Sequence, residues 1–334
     1  MNNMNNMNNM NPDFSHIYIE EDIFAHPVTQ RILSRLPDST NIMVKHYKDV
    51  FCKKNQHFSA QAVSRKLILA KKRDTLLYKG SPFCDDFGNS GFFYTTDIMN
   101  CVYQCEYCFL QGMYPSANIV IFVNLEDTFK EIERHLEKKK MYVCISYESD
   151  LTALDHLTDF ISEWIGFADR NDNLTVEMRT KSAGFASFAS IKTPPKNFIL
   201  AWSISPEKII QKYEKRTPSL KARLESIERA IQAGWNVRIC IDPILRVHDW
   251  KSMYEELAEQ IKEKIPMKLL YGISAGVFRL PKKSLKVMRS RNPQSSLLAY
   301  PYTLTSTGWS YDENQIIEMT GLMIDGIMAM GGLE

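Results

Sequence analysis

No apolar run in this chain approaches the ~18 residues that a membrane-spanning helix needs. The opening MNNMNNMNNM has neither a basic stretch nor an apolar one, so it does not read as a secretory signal. Charge of one sign is also lacking. Forty-one Lys and Arg against 39 Asp and Glu leave a formal net charge of +2, which neither demands nor excludes a nucleic-acid partner. Cysteine is scarce and odd in number: seven in 334 residues. An odd set without an export signal predicts a reducing cytoplasm, with thiols or metal ligands and not a disulfide framework. Gly-x-Ser-x-Gly, P-loop and dinucleotide fingerprints are absent too, which removes the commonest hydrolase, NTPase and dehydrogenase readings.

What remains is a composition of 44% apolar and 24% charged residues, ordinary for a globular chain. Residues 1–12 form a Met/Asn repeat expected to be disordered. Residues 13–90 make an N-terminal α/β region that ends in the turn-rich KGSPFCDDFGNSG. From residue 91 to 280 apolar runs alternate with amphipathic ones. FFYTTDI, MYVCISY, LTVEMRT, FILAWSI, VRICIDPI and KLLYGIS read as strands, with helical patterns between them. Six β/α alternations predict a parallel sheet with helices outside, either a partial (β/α)6 barrel or an open doubly wound sheet. Both place the site at the C-terminal strand ends. Residues 281–334 form a C-terminal hairpin and helix segment.

Three of the seven cysteines, Cys101, Cys105 and Cys108, stand in CVYQCEYCF just after the first of these strands. The spacing C-x3-C-x2-C lets three thiolates converge on one centre. A structural zinc ion wants four ligands, commonly from two separated C-x2-C pairs, and no second pair is present. A [4Fe–4S] cluster held by three thiolates instead leaves one iron open. The amino and carboxylate groups of S-adenosylmethionine can fill that position, and the reduced cluster can cleave this cofactor to a 5′-deoxyadenosyl radical. The alternative is a zinc site completed by Cys84 or a histidine.

The loop, with Tyr107 before its third cysteine, resembles the signature of the radical S-adenosylmethionine superfamily. Residues 94 to about 250 resemble one branch, the spore photoproduct lyases, which reverse the methylene-bridged thymine dimer of spore DNA. The likeness is carried in order by CVYQCEYCFLQG, VIFVNLED, YESDLTALDHLT, MRTKS, WSIS, YEKRTPSLKARLESIERAIQAGW and IDPILRVHDW. It implies a radical-SAM-type partial barrel and a lyase that repairs DNA. The metal ligands would be Cys101, Cys105 and Cys108. Cofactor contacts would come from Tyr107, Ser149, Lys181 and Ser203. Implied partners are lesion-bearing DNA and an electron donor such as flavodoxin or ferredoxin, with no membrane. Glu148 stands where such enzymes often hold the cofactor's amino group.

Two positions depart from that family. Tyr147 replaces a cysteine that returns a hydrogen atom to the product radical, and Phe109 replaces a relay tyrosine. The expected substitute is a relay in which Tyr147 ends its strand and Tyr107 stands next. Cys144 is expected on the opposite face of that strand, as a core thiol. In the C-terminal segment six cations (Arg279, Lys282, Lys283, Lys286, Arg289 and Arg291) precede AYPYTLTSTGWSYDENQ. Cations followed by aromatics suit a nucleic-acid surface on which an extruded base could stack; a solvated helix and a half-buried hairpin are the plainer reading. Two other functions stay open, a family member acting on a different substrate and a zinc-stabilised nucleic-acid-binding module.

Overall fold

The computed structural model describes residues 14–81 and 84–328. The Met/Asn repeat lies outside the described residues. Strands β1 (His16–Glu20), β2 (Thr40–Val44) and β3 (Leu67–Ala70) open the chain as parallel neighbours. β4 (Tyr78–Lys79) runs antiparallel to β5 (Phe92–Tyr94) at the edge of a second sheet. The chain then returns to the first sheet. β6 (Ile98–Met99) and, after the short β7 (Gln104–Cys105), β8 (Ile119–Phe122) complete it in the order β2-β1-β3-β8-β6. The N-terminal unit therefore does not stop at residue 90. The apolar run Ile119–Phe122, buried throughout, pairs parallel with β3 and satisfies the backbone groups along that strand's edge.

The second sheet continues with β9 (Met141–Cys144), β10 (Leu174–Thr180) and β11 (Phe198–Ser203). After β12 (Glu214–Lys215), which pairs antiparallel with β7, come β13 (Asn236–Ile244) and β14 (Gly272–Val277). The order is β14-β13-β11-β10-β9-β5-β4. The six parallel strands are the six expected from the sequence, and they lie side by side in chain order. No reversal occurs, so every crossover winds the same way and places its helices on one face. This is the winding of a partial barrel and excludes the doubly wound alternative. Leu125–Leu136, Phe160–Asp169, Leu220–Gln232 and Trp250–Lys264 are the main outer helices. Leu220–Gln232 ends as its sequence predicts, with Gly234 at φ +84°. Among the described residues no helix is long and apolar enough to cross a membrane.

Strand burial explains the near-continuous apolar runs. Every residue of β9 and β11 is buried. One polar group in this core has a measurable consequence. Asp97 accepts from Trp164 Nε1 at 2.8 Å, and burial pushes its carboxyl up to about 7 despite that bond. The folded chain thus keeps a proton that the unfolded chain releases near the ordinary aspartate value of 3.8. Stability from this group is complete below that value and is lost as pH rises through about 7. Asp97→Asn should flatten this dependence. Above pH 7 it should raise unfolding free energy by roughly 2–4 kcal/mol, read from denaturant curves across that pH range.

The C-terminal segment begins with β15 (Arg279–Leu280), followed by the hairpin of β16 (Thr303–Leu304) and β17 (Trp309–Ser310). Its tyrosines turn inward, while Trp309 stays half-buried with its Nε1 donating to the Lys282 carbonyl. Tyr302 and Tyr311 are buried, and Phe278, Tyr300, Tyr302 and Tyr311 pack on one another at centroid distances of 4.5 to 6.5 Å. Three of the six cations are committed internally. Arg279 forks onto Asp242 at 2.8 and 2.9 Å. Arg289 donates to the Leu298 and Tyr300 carbonyls, and Arg291 to those of Gln111 and Tyr114. Lys282, Lys283 and Lys286 are exposed.

Candidate active site

The carboxyl ends of the parallel strands enclose a cavity of about 250 Å³. Eight residues assigned a role from the sequence border it: Cys101, Cys105, Tyr107, Cys108, Tyr147, Ser149, Lys181 and Ser203. These eight come from loops separated by up to a hundred residues, so their meeting is a tertiary result.

The cysteine loop is held from below by its own chain. β7 pairs Cys105 with Glu214 of β12, and the Glu106 amide donates to the Tyr213 carbonyl at 2.7 Å. Gln111 Nε2 donates to the Cys105 carbonyl at 2.6 Å, and Arg65 Nη1 to that of Cys101 at 2.5 Å. Burial raises all three thiols, Cys101 to about 12. Among the described residues, no three or more His, Cys, Asp and Glu meet where a single metal ion could sit. Three cysteines on one loop bordering one cavity are the donor set of a [4Fe–4S] cluster that keeps one iron open. Cys84 does reach the cavity, but as a partner of Tyr147, as described below.

Around the loop the polar groups are set by a buried network. Asp150 accepts from Thr180 Oγ1 at 2.9 Å, from the Lys181 amide at 2.7 Å and from the Ala153 amide at 3.2 Å. It thereby ties the loop that carries Ser149 to the end of β10, where Lys181 follows. Ser149 Oγ is buried and has no hydrogen-bond partner in the protein, an orphaned group that a bound ligand would satisfy. Burial would lower the Lys181 ammonium, but Glu214 and the neighbouring thiols outweigh it and hold the pKa above the ordinary lysine value. Lys181 is therefore a cation, and its Nζ lies 5.7 Å from the Tyr107 ring. An orphaned hydroxyl and a fixed cation beside three thiols match the polar end of an amino-acid-like cofactor, so the residues fit the expected group.

Sequence reasoning missed Glu214 and Arg223 as a unit. Arg223 is fully buried and donates to Glu214 Oε2 at 2.5 Å, Thr217 Oγ1 at 2.6 Å and the Ser203 carbonyl at 3.0 Å. Glu214 also accepts the Tyr107 hydroxyl. The signal was present in YEKRTPSLKARLESIERAIQAGW, whose Glu, Thr and Arg in step are the members of this pair and its bridge.

Three expectations about the upper cavity change. β9 ends at Cys144, so Tyr147 lies past the strand and alternation no longer governs it; Cys144 and Tyr147 border the same cavity. Tyr107 gives its hydroxyl to Glu214 at the base of the site. Tyr147 instead packs on Tyr94 and Phe109, at 4.5 and 5.4 Å, and its hydroxyl is hydrogen-bonded to Cys84 and Ser81. Glu148 turns away: it accepts from Tyr114 and borders a separate crevice with Lys72, Tyr78 and Tyr94.

Opposite the cysteines, Arg179 and Arg279 reach the cavity beside Asp242 and Glu177. Arg179 Nη2 pairs with Glu177 at 3.1 Å, while its Nε is buried without a partner.

The sequence model of the spore photoproduct lyases matches residues 12–301. The chain belongs to the spore photoproduct lyase family. Among relatives, the spore photoproduct lyase of Clostridium acetobutylicum is 26% identical over 174 residues, 50% of this chain and 51% of the relative. That of a Geobacillus species is 24% identical over 203 residues, 59% of each. The chain thus spans about half to three fifths of these relatives' length. Among solved structures, a spore photoproduct lyase complexed with dinucleoside spore photoproduct superposes at a TM-score of 0.83. Its identity is 18%, over 96% of this chain and 97% of that one. A mutant spore photoproduct lyase with bound AdoMet and dinucleoside spore photoproduct gives 0.80 at 20% identity, over 95% and 96%. The likeness confirms the partial-barrel fold across nearly the whole chain.

Proposed function

We propose that this spore photoproduct lyase family member is a radical S-adenosylmethionine enzyme that reverses the methylene-bridged thymine dimer in DNA, in the cytoplasm. A low-potential electron donor of the flavodoxin or ferredoxin class would supply its reducing equivalents. The observation that carries the reading is the meeting of three cysteines, the orphaned Ser149 hydroxyl and the Lys181 cation in one cavity. Cys101, Cys105 and Cys108 would hold a [4Fe–4S] cluster. Lys181 would meet the carboxylate of S-adenosylmethionine, Ser149 and Ser203 its other polar groups, and Tyr107 its adenine side. When bound, this pair supplies a 5′-deoxyadenosyl radical that removes a hydrogen atom from the substrate.

The chain's own residues then hold the lesion and return hydrogen to it. Arg179, whose Nε has no protein partner, would face the phosphodiester of a dinucleotide lesion, while Arg279 stays forked onto Asp242. Cys84 and Tyr147 are hydrogen-bonded at the cavity wall. A thiol that gives its hydrogen atom to a product carbon radical can recover one from the adjacent phenol. Tyr147→Phe should keep about four irons and full cofactor cleavage while abnormal adducts accumulate several-fold by mass spectrometry. Cys84→Ala should do the same. An unchanged product distribution in both variants would remove the relay. The decisive test of the function is anaerobic reconstitution, incubation with a dinucleotide spore-dimer substrate, and mass spectrometry for two restored thymines.

One observation favours a second reading, a different substrate on the same chemistry. Tyr94, Tyr147 and Phe109 form an aromatic wall where the family's small cysteine would leave space. Cofactor cleavage without dimer reversal in the same incubation would select it.

A further inference from the structure

The cysteine loop has a second side. Cys101 and Cys108 border not only the cavity at the strand ends but also another of about 180 Å³, between the helix Phe58–Val63 and β12. The loop is a wall one residue layer thick between the two. The two cavities differ in charge. The first sets the carboxylates of Asp85, Asp150, Glu177 and Asp242 against the cations of Arg179, Lys181 and Arg279, a slight acidic excess. The second presents Arg65, Lys215 and Arg291 against one carboxylate, Glu106, which accepts from Ser295. Its apolar rim residue Val63 is 77% exposed. The cations are held in place. Arg65 grips the Cys101 carbonyl with its Nε buried and unpartnered, and Arg291 lies 4.1 Å over the Phe58 ring.

We infer that this second cavity and its basic, apolar-centred rim form the docking surface for a small acidic one-electron carrier protein of the flavodoxin or ferredoxin class. The inference rests on the iron–sulfur reading above and adds where the electron comes in. Electron transfer weakens steeply with distance, so a carrier must approach where the centre's ligands lie nearest the surface, and the substrate cavity must stay free for cofactor and lesion. Redox partners form small interfaces steered by opposite charge, which suits a shallow patch with one apolar side chain among cations. The reduced carrier loses one electron and the iron–sulfur centre gains it; no atom is transferred.

The test uses the reconstituted protein with Val63→Asp and Lys215→Glu, alone and combined, and an acidic flavodoxin in its fully reduced form. Both side chains are exposed and neither borders the substrate cavity. Titration calorimetry should show binding about tenfold weaker in the double variant at low ionic strength, with the difference shrinking as salt rises. Stopped-flow reduction by flavodoxin should slow by a similar factor, while reduction by dithionite stays at the wild-type rate. Lys208→Glu, on the exposed face of the helix Glu207–Tyr213, should change neither. Wild-type flavodoxin binding and reduction in the double variant would overturn the assignment. So would an equal loss in Lys208→Glu, which would mark a general charge effect. Failure of dithionite to reduce the wild-type protein would instead sink the iron–sulfur reading, and this surface with it.

Discussion

Alanine at Cys101, Cys105 or Cys108 should abolish the iron–sulfur centre and with it cofactor cleavage, by at least about a thousandfold. Three thiolates are the minimum that holds such a cluster while one iron stays open. Removing any one leaves two ligands on a loop whose backbone is otherwise fixed by Arg65, Gln111 and β12. No spare ligand stands ready. Cys84 is engaged by Tyr147, while Cys144 borders the cavity at the end of β9 and Cys240 is buried in β13. Alanine at Cys84, Cys144 or Cys240 should therefore retain about four irons per chain. Iron and sulfide assays on all six variants read this directly. Full cleavage in any of the first three, or loss of iron in Cys84→Ala, would return the site to the zinc alternative.

The second large effect is expected at the base of the site. Glu214→Ala should cost roughly 3–5 kcal/mol of stability, because it leaves Arg223 charged, buried and without its carboxylate. Burial alone would raise the Glu214 carboxyl, but Arg223 first and Lys181 next pull it below the ordinary value. The sign follows: this stability is present above the unfolded carboxylate pKa and is lost as pH falls through the lower folded value. Two controls separate charge from packing. Glu214→Gln keeps an acceptor for the Tyr107 hydroxyl and should preserve that ring's placement while still unpairing Arg223. The double variant Glu214→Gln/Arg223→Met should recover part of the loss, as a neutral pair replaces an orphaned charge. Urea midpoints measure all three. A Glu214→Ala protein as stable as wild type would show that the pair merely breaks even against solvent.

Much of this site was readable from residue order because its chemistry is local in the chain. C-x3-C-x2-C places three cysteines on one loop by spacing alone, and six apolar runs alternating with amphipathic ones read as parallel strands without a partner being known. Gly234 marks the helix end because a left-handed residue there needs no side chain. These features depend on neighbours within a few positions, which a sequence displays.

Tertiary structure decided what depends on residues far apart. Periodicity could not tell a singly wound sheet from a doubly wound one, since winding is a matter of strand order and not of strand pattern. The run Ile119–Phe122 went to the first sheet because β3 needed a neighbour, which its own residues do not reveal. Tyr107 was legible beside the third cysteine, but Glu214, more than a hundred residues on, takes its hydroxyl. Cys84 stood in a turn-rich loop as a candidate fourth zinc ligand, and only folding brought its thiol to Tyr147. The aromatic C-terminal segment looked fit for stacking bases; its tyrosines satisfy one another instead, because a short three-stranded sheet needs a core of its own. Spacing along the chain thus determined which three cysteines share one loop and where the strands lie. Burial and charge pairing, which join distant segments, determined which polar groups were left free to act.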